Sequence, residues 1–118
     1  MAAHASMLSW SSSETGQHLD LAAVARGRPG VGLEHGDALL RFASACGGTD
    51  DAELAAARAS LVAETDEAFM VDAAAVAANF EMMTRLADGT GAAMPSERLE
   101  RSAVAIEKMG IADLVSRR

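Results

Sequence analysis

The chain has 118 residues, with 10 Lys and Arg set against 17 Asp and Glu for a formal net charge of -7. That is the length of one ordinary domain, and half of the residues are apolar, which excludes a disordered acidic tail. An acidic balance without a basic cluster excludes nucleic acid and anionic membrane surfaces, because both are held by Lys and Arg.

The longest unbroken apolar stretch, Ala73 to Ala78, falls far short of the roughly 20 residues of a bilayer span. Residues 1–15 show no positive region followed by an apolar core, so no signal peptide is expected. A single cysteine, Cys46, cannot close an internal disulfide and suits a reducing compartment, so the expected location is cytoplasmic. The apolar content comprises 27 alanines, seven methionines, three phenylalanines and one tryptophan, with no tyrosine. Alanine is the strongest helix former, and strands favour β-branched and aromatic residues. The composition therefore predicts an all-α fold with closely approaching helices.

In chain order, residues 1–16 carry a run of serines with no sustained period and read as a mobile arm. Trp10 within it reads either as a contact residue or as a side chain tucked into its own domain. Residues 17–118 read as one helical domain. A short helix is expected from His18 to Arg26, around Leu19, Leu21, Ala22 and Ala25. The segment Gly27-Arg28-Pro29-Gly30-Val31-Gly32 lacks the Walker spacing and reads as a turn. A helix over Leu33–Cys46 follows, with Leu39, Phe42 and Cys46 on one face and an exposed Asp37–Arg41 pair. Gly47-Gly48 stops it. Asp50 then caps a helix running to about Glu64, with Glu53 reaching back as a capping box and Leu54, Ala57 and Leu61 inward.

Between Asp66 and Asp88, Phe69, Ala73, Val76, Phe80, Met83 and Ala87 recur at alternating spacings of four and three. Val71, Ala75, Ala78, Met82 and Leu86 form a second apolar stripe. A helix apolar on two sides is expected to be central and contacted by several neighbours. Asn79 then lies in apolar surroundings; it reads as a buried amide bonded to backbone and Arg85 as a partner of Glu81, or both line a pocket. Asp88-Gly89-Thr90-Gly91 ends this helix. Pro95-Ser96-Glu97 opens the last one, with Leu99, Ala103, Ile106 and Met109 inward, and Gly110 closes it. The expected architecture is a compact bundle of about five antiparallel helices.

No two of His4, His18 and His35 share a helical ligand spacing, and no Cys-His cluster occurs, so no metal or cofactor is expected. Nothing resembles a nucleophile elbow. Cys46 is the candidate nucleophile, at a helix C-terminal end where the macrodipole disfavours a thiolate; it reads more simply as a small core thiol. Glu34 and His35 are the groups that could assist it. No small-molecule ligand can be identified from these residues.

The stretch Val71-Asp72-Ala73-Ala74-Ala75-Val76-Ala77-Ala78-Asn79-Phe80-Glu81-Met82-Met83-Thr84-Arg85-Leu86-Ala87-Asp88-Gly89-Thr90-Gly91 resembles the C-terminal signature of the alkylhydroperoxidase D-like, carboxymuconolactone decarboxylase-related family. The likeness rests on an apolar helix with Asn-Phe, an Arg and an Ala-Asp-x-Thr-Gly close. It extends more loosely back to Leu33-Glu34-His35-Gly36-Asp37. The resemblance implies an all-α, homo-oligomeric protein, with the Phe69–Ala87 helix as the subunit contact. In redox-active members it also implies a Cys-x-x-Cys pair, a His four positions after the second Cys and a Glu upstream, acting on hydroperoxides.

Here Glu34 lies upstream of Cys46, but Thr49 stands at the second cysteine's place and Glu53 at the histidine's. The chain therefore reads as a degenerate, non-dithiol member, a binding or scaffold domain. The alternative is a one-cysteine hydroperoxidase that uses Cys46 with an external thiol.

Overall fold

The structure is a computed structural model that describes residues 10–11, 13–93 and 95–110. All regular structure among these residues is helical: α1 (Leu21–Ala25), α2 (Gly36–Cys46), α3 (Asp51–Glu64), α4 (Glu67–Thr90) and α5 (Ser96–Met109). Residues 10, 11 and 13–15 are helical as well. Of the arm expected over residues 1–16, residues 10, 11 and 13–15 thus have helical backbone, Gly16 is a turn, and residues 1–9 and 12 lie outside the described set. The fold is all-α, as the alanine-rich composition predicts. No helix among the described residues is long and apolar enough to cross a membrane.

The contacts group the chain into two compact units. One is residues 34–90; the other combines the segment up to Leu33 with the segment from Gly91 onward.

In the second of these, α1 begins at Leu21 rather than His18. The Asp20 carboxylate accepts from the Ala23 amide at 2.9 Å and so fixes the first turn. The following segment is a turn, and its backbone returns to donate the Asp20 amide to the Val31 carbonyl at 2.9 Å. Gly32 has φ +85°, and a Cβ there would stand 2.4 Å from the His18 carbonyl oxygen. No other residue fits this close approach. Val31 is buried beneath the turn. Arg26 donates to the Gly110 carbonyl at 2.9 Å, joining α1 to the end of α5. In α5 Ile106 turns inward as expected, and Ala103 does not. Ser102 is buried and Ile106 half-buried, while Ala103 is exposed; the Leu99 and Met109 side chains lie outside the described residues.

In the unit of residues 34–90, α2 and α3 form the core. Ala38, Phe42 and Ala45 of α2 meet Ala57 and Leu61 of α3, and Leu61 is fully buried. Three of these five are alanines, which lets the two backbones approach closely. Asp50 caps α3 by accepting from the Ala52 and Glu53 amides at 3.0 Å. The Glu53 carboxylate does not reach back to complete a capping box. It accepts from two guanidinium nitrogens of Arg41, Nε at 2.7 Å and Nη2 at 3.0 Å, so Arg41 pairs with α3 rather than along its own helix. A two-bond fork with a carboxylate outcompetes a single contact along one helix. The pair holds the Glu53 carboxyl below its ordinary value of 4.5 and raises Arg41, with the shared hydrogen bonds as the main cause of both shifts.

Helix α4 touches both α2 and α3, as expected of a helix with several neighbours, but its apolar stripes are not buried. Met70, Ala73 and Ala74 pack against the α2–α3 core, but α4 has no buried residue, and everything from Ala78 to Thr90 is exposed. Its 24 residues span about 36 Å, against roughly 21 Å for α3, so its second half outruns its neighbours. The docked face also changes chemistry there. Following Met70, Ala73, Ala74 and Ala77 around the helix leads to Glu81, Thr84 and Asp88.

Replacement Leu61→Ala is expected to cost about 2–5 kcal/mol in urea unfolding, because it opens a cavity between α2 and α3. A loss below about 1 kcal/mol would mean that this core does not govern the unfolding transition. The Arg41–Glu53 fork adds a pH signature. Its contribution is present above the ordinary Glu value of 4.5 and is lost as the pH falls through the lowered folded value. The stability difference between parent and Arg41→Met should therefore be constant near neutrality and vanish in acid. A difference that does not change with pH would contradict the pairing.

Candidate functional site

Within the unit of residues 34–90, the candidate side chains fall into separate groups. Cys46 ends α2, while Glu34 and His35 precede its first residue, Gly36. Ten helical steps separate Gly36 from Cys46, about 15 Å of rise. The structure therefore does not bring Glu34 or His35 to the thiol. Cys46 is exposed rather than a small core thiol, because the α2 face that turns inward carries Ala38, Phe42 and Ala45.

At the other end of α2, His35 gathers a cluster that spacing alone could not reveal. Its Nδ1 lies 3.8 Å from a Glu64 carboxylate oxygen at the end of α3. Its Nε2 lies 3.7 Å from Glu34. Its ring meets Phe69 at the start of α4 edge-on, with centroids 6.1 Å apart and planes at 70°. His35 also caps α2 with φ 55° and is the one non-glycine residue at positive φ among those described. That conformation costs an L-residue on the order of 1–2 kcal/mol. The chain bears it in order to turn sharply into Gly36, which is buried. The imidazole is about one-third exposed and Glu34 almost wholly so, so the cluster opens to solvent. Among the described residues, no three His, Cys, Asp or Glu side chains are arranged to hold a metal ion.

The largest feature is the apolar surface of α4. Phe69, Val76, Phe80 and Met83 run along one stripe, and Val71, Met82 and Leu86 along another. Their exposures range from 38% for Phe69 to 64% for Leu86. The two stripes read as core in the sequence therefore lie on the surface, with Asp72 and Asn79 between them. Asn79 is exposed, and its amide points at the Met83 sulfur, 3.8 Å away, one turn on within the same helix. Arg85 pairs with Glu81 at 2.7 Å, as the i,i+4 spacing indicates. In the other unit, Trp10 is also largely exposed.

Comparison with known protein families, curated proteins and solved structures returned no match.

The backbone cost at position 35 can be isolated by comparing two variants that both lack the imidazole. His35→Gly should be more stable than His35→Ala by about 1 kcal/mol, since only glycine adopts this φ freely. Equal stabilities would mean that the left-handed turn is not maintained in solution.

Proposed function

We propose that the protein is a non-dithiol, oligomeric helical domain that works by binding through α4, as a degenerate relative of the alkylhydroperoxidase D-like family. The observation that carries this reading is the apolar surface of α4. A soluble monomer rarely exposes a contiguous apolar patch larger than a few hundred Å². Here Val71, Val76, Met82, Met83 and Leu86 are each 46% or more exposed on a single helix. Burying such a surface against another subunit is worth about 25 cal/mol per Å² before the entropy of association is met. The absence of Cys-x-x-Cys and its histidine, with Thr49 and Glu53 at their places, supports binding over thiol redox chemistry.

The exposed thiol favours a second reading, a one-cysteine hydroperoxidase that uses Cys46 with an external thiol. Neither Glu34 nor His35 is at hand to activate it.

Light scattering over a range of protein concentrations tests the first reading. The parent should have an oligomeric mass at high micromolar concentration, and Val76→Glu with Met83→Glu should be a folded monomer. A parent that stays monomeric would overturn the oligomer. Hydroperoxide consumption in dithiothreitol tests the second reading: parent and Cys46→Ser should be equally inactive, and turnover lost only in the variant would establish Cys46 as a nucleophile.

A further inference from the structure

We infer that the α4 surface pairs with a second copy of itself in antiparallel fashion, across a two-fold axis at Asn79. This inference rests on the oligomeric reading above and specifies its geometry. Asn79 lies near the middle of Glu67–Thr90 and near the middle of the exposed apolar arc. An asparagine amide carries both donors and an acceptor, so two copies related by a two-fold can satisfy each other. Among the described residues its amide donates to the weakly accepting Met83 sulfur at 3.8 Å. A polar residue at the centre of an apolar helix seam sets register and orientation.

The residues on either side of Asn79 are self-complementary under that operation. Val76 and Met83 lie on one side of the arc, Ala75 and Met82 on the other. A two-fold axis at Asn79 reverses the helix while keeping each side with itself. It sets Val76 against the partner subunit's Met83 and Ala75 against the partner subunit's Met82, a larger residue facing a smaller one on each side.

Asp72 selects the antiparallel sense. Asp72, Asn79 and Leu86 follow one another at intervals of seven along the centre of the arc. A parallel pair would place Asp72 against the partner subunit's Asp72, and like charges in contact repel. In the antiparallel pair Asp72, about 10 Å along the axis from Asn79, stands at the level of the partner subunit's Leu86 rather than of a second carboxylate, and the divergence of crossing helices there leaves it in water.

From their exposures, the large side chains of the arc carry on the order of 600–700 Å² of accessible surface; the part nearest Asn79 is what a crossing second copy covers, so the contact is smaller than the roughly 800 Å² per partner of a standard interface. No other charged residue lies within the arc; Glu81 and Arg85 are paired with each other outside it.

Cysteine cross-linking in a Cys46→Ser background tests this geometry. Packed helices lie about 8–10 Å apart, with Cα atoms 2.3 Å from each axis, so facing Asn79 positions come within disulfide range. Two Leu86 positions in the antiparallel pair are about 21 Å apart along the axes. Asn79→Cys should therefore oxidise to a covalent dimer at least about ten-fold more extensively than Leu86→Cys, a ratio that needs only the separation limit for disulfides. Both positions are exposed, so the variants keep the parent fold, which circular dichroism verifies. Equal cross-linking at both positions would overturn the antiparallel pair in favour of a parallel one, while leaving the oligomeric reading standing. No cross-linking at either, with a dimer still seen by light scattering, would place the interface elsewhere and overturn the inference alone. A monomer would overturn the inference and the reading together.

Discussion

The docking of α4 through small side chains decides how the unit of residues 34–90 presents itself. Met70, Ala73 and Ala74 seat the first half of the helix on the α2–α3 core. Alanine permits a close approach but buries little area, so this contact contributes modestly per residue. The bulky residues of the same helix, Val71, Val76, Met82, Met83 and Leu86, point elsewhere and remain exposed. The internal core is correspondingly small: Phe42 and Leu61 are its only large buried members, with alanines between them.

This arrangement accounts for the difference between the expected and observed roles of α4. The spacing of Phe69, Ala73, Val76, Phe80, Met83 and Ala87 identified a long amphipathic helix, and the helix is there. Periodicity reports that a stripe seeks cover; it does not report whether the cover is intramolecular. The polar continuation through Glu81, Thr84 and Asp88 was the signal in the sequence that the docked face ends near Ala77. That signal becomes readable only once one knows which face docks.

Elsewhere, local chemistry was legible and longer-range choice was not. Asp50 caps α3 as its position before the helix indicates, and the turn between Gly27 and Gly32 forms where three glycines supply positive φ. Arg41 had two acidic options, Asp37 four residues before it and Glu53 on the next helix. The fork geometry with Glu53 decided the matter, which one-dimensional spacing cannot foresee. The His35 cluster follows the same rule. Glu64 and Phe69 reach His35 only because α3 and α4 turn back toward the start of α2. Cys46 was legible as the end of its helix but not as an exposed group, since its face is decided by how α3 packs.

The account stands or falls on what covers the second half of α4. A single helix extending past its neighbours is marginal in water and opens readily. Amide hydrogen exchange along α4 at a series of protein concentrations measures this directly. The account predicts that amides from Ala78 to Thr90 are protected at high concentration and lose protection on dilution, while those of α2 and α3 do not change. Protection of Ala78 to Thr90 that persists unchanged in the dilute monomer would show that the chain covers this helix by itself and would contradict the account.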